Sequence, residues 1–252
     1  MELPGLLVKL RIGVCVITET HLRYHDVSRI NFGSYEIVAK YCREVEGRIG
    51  GGVMILVRKQ FKADIAEIVK TELEGLELCS IKLYVSSSES MTMLFAGLYI
   101  PPRITPDLTA GNLESISRPQ INSKTRDKYS HLLTGDLNTT SWSELYEEWT
   151  QEEGLWALNG PTVSTINKGS TVDKCLFIPG NYIPTTFLTL EEGGLLGISE
   201  LKRETYPAVV PPELAIGDPY PILLPIPCDI EQEVLTDRKL RLEDFTEKDW
   251  IQ

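Results

Sequence analysis

Between Leu78 and Tyr99 the chain has the pattern of a β-hairpin with one buried face. Cys79, Ile81, Leu83 and Val85 alternate with Ser80, Lys82 and Tyr84, a period of two that sends apolar side chains to one side of a strand. The polar stretch Ser86–Ser90 then turns the chain into a second apolar run, Met91–Tyr99. Short apolar runs bounded by Gly, Pro or Ser predict further strands at Val14–Thr18, Gly52–Val57, Leu132–Thr134, Lys174–Ile178 and Pro221–Pro225. Helical signals are scarcer. Ser143 is suited to cap a helix over Glu144–Trp149, where Leu145 and Trp149 lie one turn apart. Residues 101–128, rich in Pro, Ser and Asn, predict a long surface connection with room for a helical turn.

A chain of 252 residues is long enough for one large domain. That domain is expected over residues 1–228, and residues 229–252 form a charged C-terminal extension. The extension carries eight acids against four Lys or Arg, so the net charge of −11 falls only to −7 without it. Such a balance opposes nucleic-acid binding by the chain as a whole, because affinity for phosphate backbones comes largely from Lys and Arg releasing counterions. A local basic groove is still compatible with it. No apolar run approaches membrane-spanning length, and no basic segment precedes an apolar one at the start. The expectation is therefore an intracellular protein, nuclear or cytoplasmic, with no membrane partner. Five widely spaced cysteines without a C-x-x-C pair read as buried thiols rather than a zinc or redox site.

Acidic residues fall at the ends of several of these runs. Glu19 follows Val14–Thr18, and Asp136 follows His131–Gly135. Asp173 precedes Cys175–Ile178, and Asp218 precedes Tyr220–Leu224. An acid beside a strand is usually a solvated turn residue. If the strands are neighbours, however, their ends converge on an oxygen-rich pocket suited to Mg²⁺, which takes one or two carboxylates plus phosphate oxygens. That chemistry is metal-assisted phosphodiester hydrolysis. Gly50-Gly51-Gly52 is not a nucleotide cradle, since it runs into a strand and lacks the G-K-[S/T] ending.

Five motifs stand in a telling order: Ile17-Thr18-Glu19-Thr20-His21-Leu22, Gly50-Gly51-Gly52-Val53, Tyr99-Ile100-Pro101-Pro102, Thr134-Gly135-Asp136-Leu137-Asn138 and Ser170-Thr171-Val172-Asp173-Lys174. Together they resemble the endonuclease domain of LINE-type (non-LTR) retrotransposons, within the endonuclease/exonuclease/phosphatase superfamily, over nearly all of residues 5–228. The resemblance implies an α+β fold, a four-layer αββα sandwich of two mostly antiparallel sheets. It also implies a site at one rim, with Mg²⁺ or Mn²⁺ as cofactor and DNA as substrate. Residue by residue, Glu19 becomes the principal metal ligand and Asp136 the group that orients or deprotonates water. Asn138 would hold the scissile phosphate. Tyr99 matches a tyrosine that contacts phosphate or the departing oxygen, although a strand-end Tyr before Pro is equally ordinary packing. Asp173 matches the acid that supports a catalytic histidine, and Thr162 a substrate-contacting threonine. His21 and His131 read as structural. A reverse transcriptase is an expected partner in a full-length element.

Two departures follow from the same resemblance. The last family motif reads S-D-H-x-P, whereas here the matching stretch is Gly217-Asp218-Pro219-Tyr220-Pro221. Asp218 is retained and Pro219 stands at the histidine position. A competing alignment through Glu204-Thr205-Tyr206-Pro207 supplies no histidine either, and all three histidines precede Asp136. Family members also open with a strand carrying an Asn that helps arrange the metal site, and this chain starts about a helix's length before Glu19. The expectation is an impaired DNA endonuclease. The alternatives left open are a catalytically dead remnant acting as a binding or scaffold module, and a phosphatase for small phosphoesters.

Overall fold

The computed structural model describes residues 3–9, 11–45, 48–67, 74–85, 92–102, 104, 108, 111–116, 129–138, 156–157, 173–180, 208–209 and 222–223. In chain order the elements are α1 (Leu3–Lys9), β1 (Val14–Thr18), α2 (Tyr24–Val27), β2 (Tyr35–Tyr41), β3 (Glu44–Val45), β4 (Arg48–Ile49) and β5 (Val53–Arg58). They continue with β6 (Ala63–Ile65), β7 (Glu77–Tyr84), β8 (Thr92–Tyr99), β9 (Ser130–Asp136), β10 (Trp156–Ala157), β11 (Asp173–Ile178), β12 (Ala208–Val209) and β13 (Ile222–Leu223). Residues 111–116 are also helical.

Two sheets carry the architecture. The first has the order β1-β5-β2 and the second the order β10-β11-β9-β8-β7-β6. Every pairing in them is antiparallel except β8 with β9. The centre of the first sheet is β5, and Val53–Val57 are all buried there. That is why this segment reads as a continuous apolar run rather than an alternating one.

Side chains alternate between two cores. Val53, Ile55 and Val57 face the second sheet and pack with Cys79, Ile81, Leu83, Phe95, Leu132 and Phe177. Met54 and Leu56 point the other way, joining Leu7 of α1, Phe32 and Tyr35. On the far face of the second sheet, Ala96, Leu98, Leu133 and Leu176 are covered by Leu113 and Ile116 of the helical segment. Helix, sheet, sheet, helix: the fold is an α+β four-layer sandwich.

Strand β2 escapes the sequence pattern. Its register against β5 shifts between Ile37 and Ala39, and a bulge of this kind breaks period two by placing one extra residue on the strand. Ile37 therefore packs on the α1 side, while Val38 and Ala39 both belong to the inter-sheet core. The helix expected at Glu144–Trp149 and the extension at 229–252 lie outside the described residues. Cys42, Cys79 and Cys175 are buried thiols and Cys15 is half-buried. Among the described residues no helix is long and apolar enough to cross a membrane.

Candidate active site

The parallel pairing of β8 with β9 sets Tyr99 beside Asp136, and the antiparallel pairing of β9 with β11 sets Asp136 beside Asp173. These three positions therefore form one row at one end of the second sheet. Gly135 permits the row. A Cβ there would overlap the backbone of Leu98, so no larger residue fits between β9 and β8. The backbone N–H of Ile100 donates to the Asp136 carbonyl (2.9 Å) and extends the pairing past the strand end.

Across the sandwich, β1 ends at Thr18 and delivers Glu19 to the same rim. The Tyr99 hydroxyl donates to Glu19 Oε1 at 2.5 Å. Burial, followed by this bond to a carboxylate, raises the Tyr99 phenol well above its ordinary range. It stays protonated and acts as a donor. Glu19 is exposed on a backbone with φ of 51°, a left-handed conformation that costs an ordinary residue about 1–2 kcal/mol. Glu19, His21 and Asn138 account for three of the four non-glycine residues with positive φ among those described. Strain of this kind tends to gather where side chains are held for a task.

Asp136 is 4% exposed. The backbone N–H of Asn138 donates to its Oδ1 (2.8 Å), and Asn138 Nδ2 donates to its Oδ2 (3.1 Å). The same Nδ2 also donates to the Ile100 carbonyl (3.0 Å). An amide nitrogen has two hydrogens, so both are engaged and Asn138 here serves chiefly to orient Asp136. Desolvation pushes Asp136 up to about 6, and nearby Glu19 adds to the rise, while the bonds from Asn138 oppose it. The balance leaves a carboxyl that changes charge just below neutrality.

A further acid lies in the neighbourhood. Glu77 pairs with Tyr99 across β7 and β8, is 3% exposed, and accepts from the Gly52 N–H and from Arg43 Nη1 (3.4 Å). Desolvation raises its pKa, the Gly52 and Arg43 bonds oppose that, and Glu19 reinforces it. Glu77 belongs to none of the five motifs, yet the sequence carries a signal for it. It is in phase with Cys79, Ile81 and Leu83, so the alternation places an acid on the buried face.

The structure thus brings Glu19, Tyr99, Asp136 and Asn138 together and sets the backbone of Asp173 beside Asp136. Thr162 and Asp218 lie outside the described residues. Among the described residues no three His, Cys, Asp or Glu side chains gather into a metal cage. What the rim offers is Glu19 with Asp136 near it, and one or two carboxylates are what Mg²⁺ takes when phosphate and water complete its shell. The donor set fits such an ion. His131 is 1% exposed in β9 with neither ring nitrogen partnered, and His21 and His25 are exposed.

No family model and no curated protein matches this sequence. Among solved structures, the chain is similar to an endonuclease/exonuclease/phosphatase family protein from Bacteroides thetaiotaomicron, with 15% identity, TM-score 0.49, and coverage of 70% of this chain and 72% of that one. It is similar to D. rerio TDP2 complexed with single strand DNA product (12%, TM-score 0.49, 71% and 76%). The mannosyl-6-phosphatase of Bacteroides thetaiotaomicron is another such structure (16%, TM-score 0.48, 70% and 74%). At such identities and TM-scores, only this chain's own side chains inform its chemistry.

Proposed function

We propose that the chain is a divalent-metal-dependent phosphodiester hydrolase of the endonuclease/exonuclease/phosphatase type, resembling a retrotransposon DNA endonuclease, with weakened cleavage. The observation that supports this best is Asp136, a buried carboxyl pushed up to about 6 and gripped by Asn138 at the rim where Tyr99 holds Glu19. A general base works best with a pKa near the working pH. Above pH 6 Asp136 is ionised and can accept a proton from a water aligned on the phosphorus.

Glu19 is the residue that would hold Mg²⁺ or Mn²⁺, and Tyr99 fixes its carboxylate. When bound, such an ion supplies charge neutralisation at the scissile phosphate and polarises the P–O bond. Asn138 orients Asp136, and donating to a phosphate oxygen requires it to exchange one of its two present bonds. Asp173 is proposed to support the site from the neighbouring strand, with Thr162 and Asp218 contributing as the family resemblance implies. The weakness is assigned to Pro219. A proline side chain neither donates nor accepts a proton, and its nitrogen has no hydrogen to offer a phosphate. Loss of a positioned acid or donor costs about 10²–10⁴-fold in rate.

Plasmid nicking with Mg²⁺ or Mn²⁺ tests the proposal. Slow nicking by the native chain, its loss in Asp136→Ala and Glu19→Ala, and a partial gain in Pro219→His are expected. Nicking that persists undiminished in Asp136→Ala would sink it.

A further inference from the structure

We infer that Glu77 is a positioning residue for Glu19, acting through the Gly51-Gly52 backbone; the inference rests on the proposal above that Glu19 holds the divalent ion. Glu19 stands on a loop whose two following amides are tied to another segment. Thr20 N–H donates to the Gly52 carbonyl (3.2 Å) and His21 N–H to the Gly51 carbonyl (2.8 Å). The position of Glu19 therefore depends on where Gly51 and Gly52 sit. Those glycines are held in turn from the second sheet, because the Gly52 N–H donates to Glu77 Oε2. Glu77 is fixed at both ends, by β7 pairing and by Arg43.

The packing leaves no slack in this relay. A Cβ on Gly51 would meet both Glu77 carboxylate oxygens at 2.5 Å, and Gly51 has a φ of 63°. The backbone approaches the carboxylate as closely as it can only because no side chain intervenes. A left-handed Glu19 and a left-handed His21, with φ of 51° and 49°, relax to ordinary conformations unless the surroundings hold them. The bonds from Thr20 and His21 to the clamped glycines supply that restraint. Glu77 donates nothing to the reaction. It sets the place of the carboxylate that does.

Amide hydrogen exchange reads this directly, without metal or activity. In Glu77→Ala the Thr20 and His21 amides should exchange roughly tenfold faster, the factor expected for a lost hydrogen bond worth about 1.4 kcal/mol, while β8 amides, which report global opening, change less. Glu77→Gln keeps an oxygen for the Gly52 N–H and should restore most of the protection. Gly51→Ala, which drives a methyl against the carboxylate, should repeat the Glu77→Ala pattern, and it serves if Glu77→Ala fails to fold. A Mn²⁺ titration adds the functional side. Glu19→Gln should abolish binding, Glu77→Ala or Gly51→Ala should weaken it about tenfold, and Glu77→Gln should stay close to native. Unchanged Thr20 and His21 exchange in a folded Glu77→Ala or Gly51→Ala protein overturns the inference. So does loss of Mn²⁺ binding in Glu77→Gln as complete as in Glu19→Gln, which would make Glu77 a ligand. If the native chain binds no Mn²⁺, the metal proposal fails and the exchange data still decide the role of Glu77.

Discussion

Asp136 and His131 lie five residues apart on one strand, and burial acts on them in opposite senses. Asp136 is raised to about 6, so between its ordinary 3.8 and 6 the folded state binds more protons than the unfolded, and stability falls as pH rises through that window. His131 is lowered to about 4 because its ring is desolvated. There the unfolded state binds more protons, and stability falls as pH drops from about 6.5 to 4. Each effect amounts to about 3 kcal/mol at full extent by linkage, so the two largely offset each other between pH 4 and 6. Separate variants should unmask them in urea titrations at pH 4.5–8. Asp136→Asn should gain about 1–2 kcal/mol at pH 8 after the weaker bonding to Asn138 is allowed for, yet lose stability faster toward acid. His131→Phe should become more stable as pH falls to 4.5. A flat profile in both variants would show that neither group is buried as described. Catalysis adds a third readout: if Asp136 is the base, the rate should fall toward acid as Asp136 takes up its proton, and a divalent ion held by Glu19 beside it would move that fall to lower pH than in the metal-free protein.

At the scale of elements, what the sequence displayed depended on how regularly each strand is buried. Cys79 to Val85 alternate cleanly because β7 has one face in the inter-sheet core, and β5 reads as a solid apolar run because both faces are covered. Strand β2 left no such trace, since the bulge at Ile37/Ala39 breaks its phase. The acids at strand ends were visible for the same reason the strands were, and Glu77, the first residue of β7, differs from them in that its phase with Cys79, Ile81 and Leu83 turns it into the core. The bonds of Asn138 to Asp136 are local, two residues apart, but no local pattern could say that Asn138 would also reach the Ile100 carbonyl, because that depends on β8 and β9 lying side by side across a long connection. The helical segment 111–116 in that connection closes the fourth layer through Leu113 and Ile116, both fully buried. Ile116→Ala should therefore cost about 2–4 kcal/mol, as large-to-small changes in a core do. Ile65 is 76% exposed on the edge strand β6, so Ile65→Ala should stay within about 0.5 kcal/mol. Urea unfolding midpoints compare the two, and equal effects would mean that 111–116 does not form a layer of the core.

The whole molecule presents a charge that opposes its proposed substrate. With a formal net charge of −11, long-range repulsion would slow the approach of a DNA backbone, while a divalent ion held at the proposed site would draw one phosphate in at contact. The two act over different distances, and salt separates them. The screening length shrinks from about 30 Å at 0.01 M to about 8 Å at 0.15 M, which removes the repulsion of distant acids and leaves contacts at the site nearly intact. A DNA enzyme that docks through a broad basic surface behaves in the opposite way, because each phosphate contact releases counterions and affinity falls by about 10³–10⁵ over a moderate rise in salt. For this chain, plasmid nicking per unit substrate at fixed Mg²⁺ should therefore hold steady or rise as NaCl increases from 0.01 to 0.15 M. Hydrolysis of a small phosphodiester, which carries a single charge, should barely respond. A steep fall in nicking with salt would reveal a basic groove strong enough to outweigh the acidic body, and would make the net charge irrelevant to DNA binding.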